Sequence, residues 1–375
     1  MKAGIGPGIT RRQLLRTASA AGIVSSVPRF ALAALREAGT QLTRVLADES
    51  RVIRTVVGLR PFRQNGFALS AHRFGRKLLV HNYGHGGGGI SLSWGVATLA
   101  ADLAKGEEAR HAAVLGCGVI GLSTARILQE RGYSVTIYTK AMPPNTTSNI
   151  AGGQWTPTHA FEDNLVTPQF RTTFEKASTV ANRRFQLMVG ARYGIRWIDN
   201  YEVMDKAADE QLISTARRDH IASLYTDIAD IDPASTPFRY PFVTRFTTML
   251  IEPNTYLPAL ISDFYAAGGR IVNKRFDDPA ELARLPEPVV FNCTGLGSHK
   301  LFNDNNLYPA RGQLTILEPQ ADVNYIVFGF PQILYMFPRS DGIVLGGTFQ
   351  PHDWSLTPNF QTQREKLALL RQIYR

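Results

Sequence analysis

From Ala112 to Thr139 the chain reads as a short apolar run, the glycine turn GCGVIG (Gly116 to Gly121), an apolar-periodic stretch to about Gln129 with Gly132 as its stop, and a β-branched run from Ser134 to Tyr138. This order predicts strand, tight turn, helix and strand, a βαβ unit. It constrains the fold strongly, because parallel strands need a helical crossover and cover on both faces. Gly116 permits the tight turn, Gly118 lets the backbone approach a pyrophosphate, and Gly121 lets helix and strand pack closely. Val119 and Ile120 open the helix, whose N-terminus favours phosphate. The pattern therefore predicts a dinucleotide site. A nicotinamide dinucleotide calls for an acidic residue about twenty positions on, yet none occurs from Arg131 to Phe161. Thr139 and Lys140 stand at that strand end, which argues against NAD and offers Lys140 to an adenosine or its phosphates.

A chain of 375 residues with 44% hydrophobic and 19% charged side chains has the composition of a globular protein and a length that favours two lobes. No apolar stretch reaches the roughly 18 residues that suggest a membrane span. The formal charge of +10 is no nucleic-acid footprint, because half of it sits in residues 1 to 34, on Lys2, Arg11, Arg12, Arg16 and Arg29 with no acidic residue. That segment carries Arg11-Arg12, an apolar stretch from Ala18 and the triplet Ala31-Leu32-Ala33, which resembles a twin-arginine export signal. Arg29 departs from the pattern, and a basic tail on a cytoplasmic protein is the alternative. Cys117 and Cys293 are the two cysteines. Both fall in expected strand or turn segments, predicting free thiols, and neither has neighbours at metal-ligand spacing.

Further along, Ala34 to Ser50 reads as a solvated helix or linker, and Val52 to Leu59 as a strand that Arg60-Pro61 ends, since proline cannot extend a central ladder. Lys77 to Val80 reads as a strand, Ile90 to Ala104 as a helix, and KGEEARH (Lys105 to His111) as a connector. Ala141 to Pro157 is a loop. Strand, helix and strand follow within Arg245 to Phe276, with Gly268-Gly269 stopping the helix. More strands are expected at Pro288 to Cys293, Tyr325 to Phe328, Ile333 to Phe337 and Gly342 to Leu345, then a helix from Thr362 to Tyr374.

A second glycine-rich run, VHNYGHGGGGISLSWG (Val80 to Gly95), precedes the nucleotide turn. With VGLRPFR (Val57 to Arg63), PPNTTSNIAGGQWTP (Pro143 to Pro157), VVFNCTG, PARGQ (Pro309 to Gln313), ILYMFPR (Ile333 to Arg339) and GIVLGGTFQPHDWSL (Gly342 to Leu356), it resembles the motifs of the D-amino-acid and D-aspartate oxidase family. The matches touch most of residues 52 to 365. In that family the blocks at Val57 and Val80 follow the one that contains Trp354; here they come first. The chain therefore resembles a circular permutant, with KGEEARH bridging the joined ends.

The resemblance implies an α/β fold: a discontinuous FAD-binding Rossmann-like domain beside an α+β substrate domain on a mainly antiparallel sheet. Residues 52–165 and about 270–310 would form the first, about 166–269 and 311–361 the second, with 362–375 a terminal helix. It implies FAD, held by Gly116, Gly118, Val119, Ile120 and Gly121, by Lys140, by Thr146, Thr147 and Ser148 near the phosphates, and by Gly152, Gly153 and Gln154 along the ring. Gly86, Gly89, Ile90 and Ser91 would direct a helix N-terminus at the ring, although Ser91 suits a simple cap equally. It implies Arg60 on the substrate carboxylate, Tyr335 assisting, and backbone near Gly87 accepting from the amine. His81 and His85, like Trp94, Trp155 and Trp354, are expected to be structural. Pro331 replaces a second tyrosine common in the family, and Arg339 is a candidate second cation by sequence proximity. The implied activity is oxidation of a D-amino acid with oxygen; a flavin amine dehydrogenase and a non-catalytic flavin-binding protein are the alternatives. The sequence assigns no oligomeric state.

Overall fold

A computed structural model describes residues 42–206, 212–330 and 332–375. The expected export signal, residues 1–34, lies outside them, as does Pro331. Residues 42–375 group as one compact unit. Its strands are β1 (Val52–Arg63), β2 (Ala68–Phe74), β3 (Lys77–Tyr83), β4 (His111–Leu115), β5 (Ser134–Thr139), β6 (Ile195–Met204), β7 (Thr226–Asp230), β8 (Phe242–Ile251), β9 (Arg270–Asn273), β10 (Val289–Asn292), β11 (Leu307–Leu317), β12 (Ile326–Phe330), β13 (Leu334–Arg339), β14 (Gly342–Gly346) and β15 (Gln350–Pro351). The helices are α1 (Gly89–Asp102), α2 (Val119–Glu130), α3 (Pro168–Leu187), α4 (Leu212–Arg218), α5 (Pro253–Ala266), α6 (Gly297–Leu301) and α7 (Phe360–Ile373).

These strands make two sheets. One runs β2-β3-β10-β4-β5-β9, parallel from β3 to β9, with β2 antiparallel at its edge. The other runs β1-β11-β14-β13-β12-β6-β8-β7, with β15 on β11; it is antiparallel except where β12 meets β6. The expected βαβ unit is present as β4, α2 and β5. Parallel strands buried on both faces read as continuous apolar runs, and β4 from Ala112 to Leu115 and all of β10 are buried accordingly.

Helix α1 is apolar on nearly every side because it lies between other elements; Leu92, Trp94, Val96 and Ala97 are all at most 1% exposed. Gly95 allows its crossing with α3, since a Cβ there would collide with the Ala177 backbone. Thr167 caps α3 by accepting from Phe170 N–H at 3.2 Å, with Pro168 at the first helical position, where a missing N–H costs nothing.

Three expectations change. Strand β1 continues past Pro61 to Arg63, pairing with β11 throughout. It is an edge strand with one ladder partner, where proline is tolerated, and Pro61 stands opposite Pro309. This strand, expected within the dinucleotide-binding segment, belongs to the large sheet. Of the expected helix or linker from Ala34 to Ser50, residues 34–41 lie outside the described residues, and 42–48 are irregular rather than helical, mostly exposed but anchored at two positions. Val45 and Ala47 are buried with Leu367, Leu370 and Ile373 of α7, while Arg371 donates to the Ala47 carbonyl at 2.6 Å. Finally, β2 was not foreseen: it is largely exposed, so no buried face marks it by alternation.

Candidate active site

One cavity of about 1210 Å³ runs from the glycine turn to Arg60 and Tyr335. At its first end the walls are mostly backbone. Gly116 leaves β4 with φ of 103°, its N–H held by the Tyr138 carbonyl at 2.8 Å, and a Cβ there would lie 2.6 Å from the Cys293 carbonyl oxygen. Only glycine takes that conformation without strain. Gly121 sits against the Gly116 carbonyl, where a Cβ would collide. Gly118 caps α2 without a side-chain bond, and the Val119 N–H donates to Ser148 Oγ at 3.0 Å. Ser148 therefore lies at the helix N-terminus, with Thr147 in the same short turn and Thr146 bonded to Asn149 at 2.8 Å. Ile120 and Lys140 line the same end. So do Lys274 and Arg275, beyond β9 beside the end of β5, an arrangement the sequence reading missed. Lys274 N–H donates to the Thr139 carbonyl at 2.9 Å.

The middle of the cavity is made by glycines from two directions. Gly86, Gly87, Gly89 and Ile90 enter from β3 and the start of α1, and Gly152, Gly153 and Gln154 from the long loop. A side chain at Gly152 would run into the Phe337 ring. Gln154 donates to Asn200 Oδ1 at 3.1 Å. Ser91 lines the cavity and does not cap α1: its hydroxyl accepts from Thr156 N–H at 3.0 Å and donates to the Gln154 carbonyl at 3.4 Å. It fastens the loop onto the helix. Behind this wall Glu202 is fully buried. One of its oxygens accepts from Leu212 N–H at 2.8 Å and the other has no hydrogen-bond partner among the described residues; burial lifts its carboxyl to about 7.

At the far end the walls are side chains on the large sheet. Arg60 donates to Tyr335 Oη at 3.3 Å and to the Thr348 carbonyl at 3.0 Å. Glycines clear space for both groups, because a Cβ at Gly312 would meet the Arg60 guanidinium and one at Gly346 the Tyr335 ring. No ion pair involves Arg60 among the described residues. His159 stands alongside, its backbone carbonyl accepting from Gly87 N–H at 2.9 Å. Although its side chain is exposed, desolvation by the surrounding walls first, and the Arg60 charge second, hold its imidazole below the ordinary histidine range.

The remaining expectations sort clearly. Arg339 is no second substrate cation: it is buried, paired through two nitrogens with Asp341 at 2.7 Å, and donates to the Ala151 carbonyl at 2.8 Å. His85 is buried against Phe67, and burial pushes its imidazole down to about 3. His81 bonds Asn292 at 3.0 Å, and burial, chiefly, lowers it to about 4. Trp94 donates to Tyr256 at 2.7 Å and Trp155 is buried, whereas Trp354 is 52% exposed at the cavity rim. The two cysteines are free, and burial raises each thiol to about 12.

Comparison with known proteins decides the family. The model of the family described as FAD dependent oxidoreductase matches residues 10–103 and 111–375. This chain belongs to the FAD dependent oxidoreductases. Human D-aspartate oxidase is 31% identical over 262 residues, 68% of this chain and 73% of that protein. The D-amino-acid oxidase of Dictyostelium discoideum is 30% identical over 270 residues, 69% and 71% of the two. The crystal structure of glycine oxidase from Geobacillus kaustophilus shares the fold, with a TM-score of 0.53 at 14% identity over 71% of this chain and 78% of that one.

The cavity of this oxidoreductase fits FAD. Its volume exceeds the roughly 300 to 1,000 Å³ of ordinary ligand pockets. A helix N-terminus and Lys140 line the phosphate-binding end, beside Lys274 and Arg275, which pair with Glu281 and Asp277, and Gly86, Gly87, Gly152 and Gly153 leave room for a flat ring. What the sequence reading missed are Thr348, which holds Arg60 through its carbonyl, and His159. Neither carries a local signal, since both are defined by contacts distant in sequence.

Proposed function

We propose that this protein is an FAD-dependent oxidase that deaminates a D-amino acid to a 2-oxo acid and ammonia, with oxygen reduced to hydrogen peroxide. The observation that carries this reading is the Arg60–Tyr335 pair, set on the same cavity as the dinucleotide turn. FAD, when bound, supplies the acceptor for the hydride of the substrate α-carbon and passes the electrons to oxygen.

The chain's own residues supply binding and orientation. The planar guanidinium of Arg60 binds the carboxylate through two nitrogens. Tyr335, accepting from Arg60, turns its proton to the same carboxylate. Backbone at Gly87 accepts from the amine, so two fixed points orient the α-hydrogen. No side-chain base is assigned: His85 and His81, at about 3 and about 4, are neutral at pH 7, and a neutral substrate amine needs none. The imino acid is then hydrolysed by water.

The test is a spectrum of the purified holoprotein under anaerobic D- and L-amino acids. Bleaching by the D series alone, with stoichiometric peroxide after oxygen is admitted, is the expected result. Bleaching without peroxide would instead indicate a dehydrogenase, and no bleaching by any amine a non-catalytic flavoprotein.

Two organisational readings accompany this one. We propose that the chain is a circular permutant, supported by a family match in two stretches on either side of residues 104–110, while β1 and β3 nevertheless join β11 and β10. We propose also that residues 1–34 direct export; Arg11→Lys with Arg12→Lys should then leave the protein in the cytoplasm.

A further inference from the structure

We propose that Glu202 is a proton-loading site for the bound flavin, taking up a proton when the flavin is reduced and giving it back on reoxidation. The inference rests on the proposed function only in that electrons enter the cavity there. Glu202 is fully buried and makes no ion pair among the described residues. It lies just behind the cavity wall in three directions. Leu212, whose N–H donates to Glu202 Oε1 at 2.8 Å, lines the cavity. So does Phe328, its partner in register on β12. Asn200, two residues back and on the same face of β6, accepts at 3.1 Å from Gln154, which lines the cavity as well.

The polar groups behind this wall are left unmatched. Glu202 Oε2, Asn200 Nδ2 and Trp155 Nε1 have no hydrogen-bond partner among the described residues, although buried polar atoms are ordinarily satisfied. Tyr225 packs its ring on Trp155 at 5.5 Å, and its hydroxyl feels the charge of Glu202. No neighbouring charge compensates the carboxylate. Asp219, which also acts on Tyr225, is paired with Arg171 at 2.9 Å. Thr244, opposite Glu202 on β8, bonds the exposed Asp230 at 2.9 Å. Arg245 bonds Tyr201 on the other face of the sheet, and Arg217 and Arg218 of α4 are exposed. Burial holds the Glu202 carboxyl at about 7, so near neutrality it is poised between its two states.

Charge couples the two events. Reduction by two electrons and one proton leaves one negative charge in the cavity, and a low-dielectric interior transmits it to the wall. That charge opposes the carboxylate, so a proton from solvent forms an O–H bond at Glu202. By reciprocity, the ionised carboxylate disfavours reduction by the same factor. On reoxidation, oxygen takes two electrons and two protons as hydrogen peroxide; one proton leaves the flavin, and the other matches the one that Glu202 gives up.

The experiment titrates the midpoint potential of the holoprotein from pH 6 to pH 9 without amino acid, in the unmodified protein and in Glu202→Gln. Proton uptake on anaerobic photoreduction is followed with a pH indicator. For a tenfold coupling, the unmodified protein takes up about half a proton more than the variant at pH 7.5. Its potential also falls about 30 mV further than the variant's across this range, the equivalent of tenfold for a two-electron couple. A role in packing alone would leave that slope unmoved. Equal slopes and equal proton counts in the two proteins overturn the proposal. Should Glu202→Gln fail to hold flavin, the unmodified protein decides: more than one proton per two electrons at pH 7.5 is expected, and one alone overturns it. Since no amino acid is present, D-amino acids that fail to bleach the flavin would sink the proposed function without touching this result, and equal slopes would leave that function standing.

Discussion

The two ends of the cavity are built on opposite plans. At the nucleotide end, contiguous chain from β4 through α2 shapes the site with main-chain atoms and missing side chains: Gly116, Gly118, the Val119 N–H and Gly121. At the other end, Arg60 and Tyr335 meet although 275 positions separate them, and the large antiparallel sheet is what brings them together. A backbone-built site recognises what many ligands share, such as a pyrophosphate. A side-chain-built site can distinguish one small acid from another.

If this contrast holds, variants at the two ends fail in different ways. The largest effect is expected from Arg60→Ala. Two charge-assisted hydrogen bonds at about 1.5 to 3 kcal/mol each correspond to a loss of roughly 10² to 10⁴ in kcat/KM, with the flavin still bound. Steady-state rates beside the visible spectrum check this; loss of the yellow colour would break the contrast.

Gly121→Ala is expected to do the reverse, because the new Cβ collides with the Gly116 carbonyl and neither backbone can retreat. Overpacking of this kind costs about 1 to 3 kcal/mol, read as lower urea stability and as flavin lost on gel filtration. Retained flavin at unchanged stability would show that the turn is more adaptable than its packing indicates.

Glu202 tests the sheet wall through pH. Its carboxyl keeps a proton up to about 7 when folded, against an ordinary value of 4.5. The native state therefore binds the extra proton between those values, and its stability falls as pH rises from about 4.5 to 7. Glu202→Gln removes that cost while keeping an acceptor for Leu212 N–H. The gain is on the order of 3 kcal/mol at pH 8 and nil near pH 4, and urea titrations at the two pH values check it; an equal gain at both would refute burial as its origin. The smallest change is expected from Tyr335→Phe, about 1 kcal/mol or fivefold in kcat/KM. A loss as large as that of Arg60→Ala would give the hydroxyl an equal share of the anchor.

The same contrast explains how much could be read from the sequence. The βαβ unit, its turn and the stop at Gly132 are local in sequence, so spacing and residue type suffice to predict them. Arg60 and Tyr335 carry no such pattern, and only resemblance to a family singled them out. Arg339 shows the limit of proximity: Asp341, two residues away, already occupies it. Ser91 reads from the sequence as a cap or a ligand contact; it caps nothing, and its bonds to the loop at Gln154–Thr156 are invisible there because that loop comes to it from elsewhere. His159 escaped notice since neither a left-handed backbone nor a neighbouring Arg60 is visible in the string TPTH. Pro61 reads as a strand end in the sequence because whether a strand lies at an edge or in the centre depends on its partners.

The glycines beneath Arg60 and Tyr335 have a practical consequence for anyone wishing to retarget this enzyme. Gly312 and Gly346 are a floor defined by absent atoms, so a library that randomises them should return mostly inactive clones. Diversity belongs instead at Phe349, a cavity-lining side chain that is 41% exposed.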